Sequence, residues 1–273
     1  MLARAGRRRE AAMNETVLYD ARDGIATITL NRPERLNAMT ADLLQGALAA
    51  LEQAADDAAV GVVIFTGAGR GFCAGADLAD RATLGTGGLS TRLGVLRAYV
   101  RTAQLLREMP KATIAAVNGA AAGAGLAWAL AADLRFSAES AKFVSAYINV
   151  GLSGDFGGTW TLPRIVGAAK AREIYLLNET ISAAEAERIG LVNKTLPDAD
   201  LLPHARSVAE RLLAFSPTAL RNIKANLNDA DRVSFSEALD RDSERHLRSG
   251  ETDDAREARS AFLEKRRPVF TSR

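Results

Sequence analysis

Two β-prone runs, residues 17–19 and 25–30, flank Asp20-Ala21-Arg22-Asp23-Gly24, a pattern that predicts a hairpin closed by an Asp-Gly turn. Asn31-Arg32-Pro33-Glu34 then ends the second strand. Thr40 stands where it can cap a helix whose Leu43, Leu44, Ala47, Leu48 and Leu51 recur on one face. Gly61 opens the apolar run 62–66, the reading of a buried strand, and a glycine-rich turn over 67–78 follows it.

The alternation continues. A soft Gly/Ser stretch, 84–90, leads into a helix predicted over 91–109 and stopped by Pro110. A strand over 113–117 runs into a second glycine turn, 118–125, after which 126–132 is apolar all round, the signature of a buried helix. A strand over 134–137 and a short one near Phe143 precede a third glycine-rich turn, 151–158, that opens another helix. From about Leu201 the chain changes to amphipathic helices with frequent Arg/Glu pairs and no strands. The pattern predicts a β/α core with a helical C-terminal segment.

Composition narrows the class. With 48% hydrophobic and 25% charged residues, the 273-residue chain is an ordinary globular one, which excludes disorder and collagen. Its formal charge of +2 divides into +3 on residues 1–13, where Arg4, Arg7, Arg8 and Arg9 stand against Glu10, and −1 on the remainder. No nucleic-acid or membrane partner follows from that balance. The segment reads as a flexible tail; a weak mitochondrial presequence is opposed by its lack of Ser and its Glu10, and the blander expectation is a start codon placed too early, with Met13 the natural start. A single Cys73 rules out a disulfide framework and, with two histidines, a Cys/His zinc cluster, so no metal is expected and a reducing, cytoplasmic compartment fits. No apolar run approaches the ~20 residues that span a bilayer.

Glycine turns after buried strands serve backbone geometry or anion recognition. Gly67-Ala68-Gly69 begins like a dinucleotide fingerprint, but Phe72 occupies its third glycine slot and no helix follows directly. Gly75-Ala76-Asp77 and Gly123-Ala124-Gly125 each follow a strand, the second at the start of the buried helix. If both aim backbone N–H groups at one point, they form an oxyanion hole strengthened by the helix field, a device that stabilises an enolate.

Residues 30–39 (LNRPERLNAM), 72–78 (FCAGADL) and 115–119 (AAVNG), continued by 155–159 (DFGGT) and 261–266 (AFLEKR), resemble the enoyl-CoA hydratase/isomerase (crotonase) superfamily in order and spacing. The resemblance covers nearly everything after the tail. It implies an α/β fold, a crotonase-like spiral of ββα turns over residues 14–197, with a helical trimerisation segment over 198–273. It further implies acyl-CoA thioesters as ligands, no cofactor beyond the coenzyme A that the substrate carries, and a homotrimer or dimer of trimers. The pair that holds the thioester oxygen is then Ala76 N–H and Ala124 N–H; Ala124 stands where the family usually has Gly, so some backbone freedom is expected to be lost.

Hydratases of this family use two glutamates, one to deprotonate water and one to handle the α-proton. By motif alignment those slots hold Ala127 and Tyr147. An alanine transfers no proton, and a phenol with an ordinary pKa of about 10 is a poor base. Asp155 remains, at a slot where members that isomerise double bonds or attack aryl thioesters carry an aspartate. On local sequence alone Asp155 reads equally as a cap for the helix beginning near Gly157. One carboxylate suffices for a 1,3-proton shift, so isomerisation is the reaction this inventory supports. Dehalogenase-type chemistry drops out because His204 and His246 lie in the helical tail.

Tyr147 is expected to fill the acyl pocket, with Trp128 and Trp160 as further lining. For coenzyme A the resemblance nominates Arg32 or Arg35 for phosphate, the backbone around Ala74 and Leu78 for adenine, and Phe262 and Lys265 from the same or a neighbouring subunit; Lys265 reads equally as a solvated helix end. Three alternatives stay open: a hydratase acting without the glutamate pair, a non-catalytic acyl-CoA-binding member, and an RNA-binding member using Arg97 and Arg101. The last lacks interleaved aromatics, so no nucleic-acid partner is expected.

Overall fold

The structure is a computed structural model and describes residues 9–80 and 83–270. Strands β1 (Arg9–Asn14), β2 (Val17–Arg22) and β3 (Ile25–Leu30) form an antiparallel meander. Arg22 pairs with Ile25, which leaves Asp23-Gly24 as a two-residue loop with both φ positive, the primed turn that matches strand twist. A correction follows at the N-terminus: the tail expected through residue 13 gives way to a paired strand from Arg9, while residues 1–8 lie outside the described residues. Helix α1 (Ala41–Asp56) starts where expected, with Thr40 Oγ1 accepting from Leu43 N at 3.3 Å, a cap worth about 1 kcal/mol.

A repeating unit then takes over. Strands β4 (Val62–Gly67) and β5 (Gly71–Cys73) lead to α2 (Leu89–Glu108); β6 (Ala112–Val117) and β7 (Ala120–Ala122) lead to α3 (Ala124–Ala131); β8 (Leu134–Ala138) and β9 (Lys142–Val144) lead to α4 (Gly158–Val166). In each unit the long strand joins one sheet, the short strand joins a second, and the helix returns the chain. This is the expected spiral of ββα turns. Helix α5 (Ala168–Leu177), β10 (Ile181–Ser182), α6 (Ala183–Arg188) and β11 (Lys194–Leu196) complete it. The large sheet runs β1-β2-β3-β4-β6-β8-β11, parallel from β3 onward; the small one runs β10-β9-β7-β5.

Alternation along the central strands serves two cores. Val63 and Phe65 face a cluster built with α1, α2 and α3, whereas Val62 and Ile64 face Leu201, Ala205 and Ala209 of α7 (Leu201–Leu213). Both faces are covered, which is why β4 reads as a continuous apolar run. Helix α7 therefore goes with the core by packing, and the boundary drawn at residue 197 moves to the turn after α7. Helices α8 (Pro217–Ala230), α9 (Phe235–Gly250) and α10 (Asp253–Leu263) follow. Lys224 docks α8 on the core through a buried ammonium 2.7 Å from Asp133 Oδ2, with Lys111 O accepting at 2.9 Å. The short strands β5 and β7 are among the elements the sequence pattern missed, since three residues are too few to show a readable alternation.

Candidate active site

The two glycine turns meet. Met39 N donates to Gly75 O at 2.8 Å and Asp77 N donates to Met39 O at 3.0 Å, a parallel bridge centred on Ala76. In such a bridge the flanking residues bond the partner, so Ala76's own N–H faces the other side. Ala124 is the first residue of α3, whose opening N–H groups have no partner within the helix. Gly75 (φ +84°) and Gly123 (φ +53°) take the left-handed turns that aim these amides. Ala124 itself is not among the positive-φ residues, so the loss of freedom expected from an alanine there has no consequence.

Close approach locks the turns together. A Cβ on Gly75 would lie 2.8 Å from Ala122 O and 3.6 Å from Ala124 N, and a Cβ on Gly125 would lie 2.1 Å from Cys73 O. Ala76, Ala124 and Asp155 then line one cavity of about 470 Å³, shared with Met39, Leu44, Leu84, Leu96, Tyr99 and Phe156. The cavity is mainly apolar. Leu78 stands at it with two thirds of its surface exposed.

Asp155 is half-buried, and its Oδ1 accepts a hydrogen bond of 2.7 Å from Tyr147 Oη. The capping alternative fails: Gly157 is the N-cap of α4 without a side-chain cap, and what Gly158 N meets at 3.3 Å is the Asp155 backbone carbonyl. Burial pushes the Asp155 carboxyl above its ordinary pKa, with the Tyr147 hydrogen bond pulling the other way. Phe156, at φ +50°, turns the chain immediately after it and packs edge-to-face on Trp128 at 5.8 Å. A bulky residue in the left-handed region is costly, and such strain clusters at functional sites.

Several nominated residues serve other purposes. Tyr147 does not simply fill the pocket; its hydroxyl is bound to Asp155, and burial together with that carboxylate pushes its pKa upward. Trp128 is fully buried behind Phe156, with its indole N–H on Thr102 Oγ1 at 2.7 Å. Trp160 carries the guanidinium groups of Arg164 and Arg107 over its ring, 3.8 and 4.7 Å from its centre, and does not line the cavity. Arg32 is engaged by Asp77 and by Ala38 O at 2.6 Å, so it is not a free phosphate ligand. Arg35 is more exposed and reaches Asp77 at 3.5 Å. Ala74 N donates to Leu36 O at 3.0 Å. Phe262 is 83% exposed at the end of α10, with Lys265 just beyond, and neither touches the cavity of its own chain.

The first glycine turn binds its own chain. Asn118 Nδ2 donates to Gly69 O and Gly71 O, Asn37 Nδ2 donates to Ala68 O, and Gly67 N donates to Asn118 Oδ1. These bonds leave it no nucleotide cradle. Arg101, on the helix weighed for RNA, pairs with Glu52 at 3.0 Å. Sequence reasoning missed Tyr175, whose hydroxyl would lie 2.4 Å from a Cβ on Gly158, itself 3.3 Å from the Ala127 Cβ. No motif marks a tyrosine in the last turn of α5. Among the described residues no cluster of His, Cys, Asp or Glu is placed to hold a metal ion, and no helix is long and apolar enough to cross a membrane.

The model of the enoyl-CoA hydratase/isomerase family matches residues 20–273. The chain belongs to this family. It is 41% identical to the 1,2-epoxyphenylacetyl-CoA isomerase of Escherichia coli K12 over 96% of this chain and all of that one. It is 35% identical to the crotonyl-CoA hydratase of Syntrophomonas wolfei over 95% of this chain and 99% of that one. The crystal structure of the enoyl-CoA hydratase from Bacillus anthracis superposes with a TM-score of 0.89 at 32% identity, covering 94% of this chain and all of that one. Isomerase and hydratase names thus both occur among relatives of similar length.

Proposed function

We propose that this family member shifts a double bond in an enoyl-CoA thioester, with Asp155 as the acid/base and the N–H groups of Ala76 and Ala124 holding the thioester oxygen. The observation that carries the reading is the carboxylate inventory of the cavity. Asp77 is tied to Arg32, Asp80 accepts from Thr83 Oγ1 at 2.8 Å, and Ala127 and Tyr147 stand where hydratases hold glutamates, which leaves Asp155. Its carboxylate removes a proton from C2 of a 3-enoyl thioester, the charge spreads to the thioester oxygen as a dienolate, and the same carboxyl returns the proton at C4. No water is consumed. A carboxyl raised by burial is a better base near neutral pH than an exposed one.

A homotrimer or dimer of trimers in the cytoplasm is the setting we assign, with α8–α10 as the associating face. The relative named for 1,2-epoxyphenylacetyl-CoA favours a second substrate: a ring-bearing acyl epoxide, isomerised by the same carboxylate in a cavity walled by Tyr99 and Phe156. The test is a panel of 3-enoyl-CoA, 2-enoyl-CoA and aryl-epoxide CoA esters assayed for isomerised and hydrated products. Asp155→Asn is expected to lower isomerisation at least 1,000-fold, of the order a lost acid/base group costs, with acyl-CoA binding retained. Efficient hydration of crotonyl-CoA that Asp155→Asn leaves unchanged would sink the reading. Binding without turnover would favour the non-catalytic alternative.

A further inference from the structure

Tyr147 occupies the slot of the hydratases' second glutamate, yet its hydroxyl is bound to Asp155 Oδ1 at 2.7 Å. Both partners are held rigidly. Ala146 at φ +61° leads into a short 3₁₀ turn, Tyr147–Val150, and Asn178 Oδ1 secures that bend by accepting from Ala146 N at 2.6 Å and Ser145 Oγ at 2.8 Å. Tyr175 of α5 stacks on the Tyr147 ring with centroids 6.3 Å apart and planes 10° from parallel. On the other side, the left-handed Phe156 and its contact with Trp128 fix the backbone beside Asp155.

We propose that Tyr147 is a positioning residue: by holding Oδ1 it aims Oδ2 of Asp155 as the proton-transferring oxygen and keeps the carboxylate ionised inside an apolar cavity. The inference rests on Asp155 as the proton-transferring group. A phenol that donates to a carboxylate favours the ionised form, in opposition to burial. The other titratable groups facing this pair are few. Tyr175 is the other ring of the stack, its own phenol pushed up to about 12 by burial; across the cavity stand Tyr99, Asp77 paired with Arg32 and Arg35, then Asp80 and Arg92. Tyr147 is the side chain that bonds Asp155 directly.

Removing the hydroxyl therefore raises the Asp155 pKa. The experiment is the pH profile of kcat/KM for 3-enoyl-CoA isomerisation in the parent, Tyr147→Phe and Tyr175→Phe. Tyr147→Phe keeps the ring and its stack, and it is expected to move the acidic limb up by about one pH unit and lower kcat about tenfold, with KM within about twofold. Tyr175→Phe leaves the limb in place. A Tyr147→Phe limb coincident with the parent's overturns the proposal. Site-specific 3-fluorotyrosine at 147, a stronger donor, moves the limb down and decides the matter should Tyr147→Phe not fold. If the parent does not isomerise at all, the functional reading fails separately, and infrared titration of the Asp155 carboxylate, assigned by difference against Asp155→Asn, still reads Tyr147. An upward shift in Tyr147→Phe supports the proposal and an unshifted titration rejects it.

Discussion

Arg32 grips Asp77 with both terminal nitrogens of its guanidinium, each 3.1 Å from Oδ2, while the nitrogen NH1 also donates to Ala38 O. Asp77 directly follows the amide of Ala76, and Ala38 directly precedes Met39, the bridge partner of Ala76. One guanidinium thus fixes both sides of the turn that presents half of the proposed oxyanion hole. An arginine that the motif nominates for coenzyme A phosphate is engaged in holding backbone.

This arrangement predicts a specific failure. Arg32→Ala is expected to lower kcat/KM for isomerisation by about 10- to 100-fold through misplacement of the Ala76 amide, mostly in kcat. A free phosphate ligand would instead raise KM, so steady-state kinetics separate the roles. Burial acts to raise the Asp77 pKa, but the Arg32 hydrogen bonds, the Ala79 N–H and both guanidinium charges outweigh it, and the group is held below its ordinary 3.8. A depressed folded pKa contributes stability above the unfolded value that is lost as pH falls through the folded one. Urea denaturation of Asp77→Asn should therefore show a deficit at pH 7 that narrows once pH drops below 3.8.

Gly75 is constrained by both its backbone conformation and its surroundings. Its φ of +84° disfavours any side chain, and an added methyl would lie 2.8 Å from Ala122 O, a backbone atom that cannot swing aside. Gly75→Ala is expected to cost about 1–3 kcal/mol of stability from the strained conformation and to lose activity as the turns separate. Ala124→Gly keeps the N–H at an unstrained position and should retain kcat within about threefold. Thermal unfolding paired with isomerase assays checks both.

The C-terminal helices leave a large apolar face uncovered in the single chain. Ile223 and Leu227, one helical turn apart on α8, are 56% and 67% exposed, and Phe235, Leu239 and Leu247 of α9 are at least half exposed. A soluble monomer rarely presents such a surface. Light scattering should report three or six chains, and Ile223→Asp/Leu227→Asp should lower that mass. A monomeric parent would refute the assignment.

Much of the fold was legible because its signals are local. Thr40 as a cap, the Asp23-Gly24 turn, the all-apolar α3 and the continuous apolar β4 each follow from propensity and burial within one element. Of the small sheet only β9 was legible, since β5 and β7 acquire strand character through pairing, β5 with β7 and β7 with β9. At the site, the family resemblance nominated Ala76, Ala124 and Asp155, and all three line one cavity. Trp128 and Trp160 were misread because an aromatic near a glycine turn gives no indication of which way it points.

By itself, then, the sequence determined the main alternation of strands and helices and the glycine turns that carry Ala76 and Ala124, as matters of residue type and spacing. That Ala127 and Tyr147 stand at the hydratases' two glutamate slots is what the family resemblance implies. Only the tertiary structure decided that Arg32 serves Asp77 across 45 residues and that Tyr147 serves Asp155 rather than the acyl chain. A long polar side chain has several partners within reach, and which one it bonds depends on backbone geometry that distant segments impose.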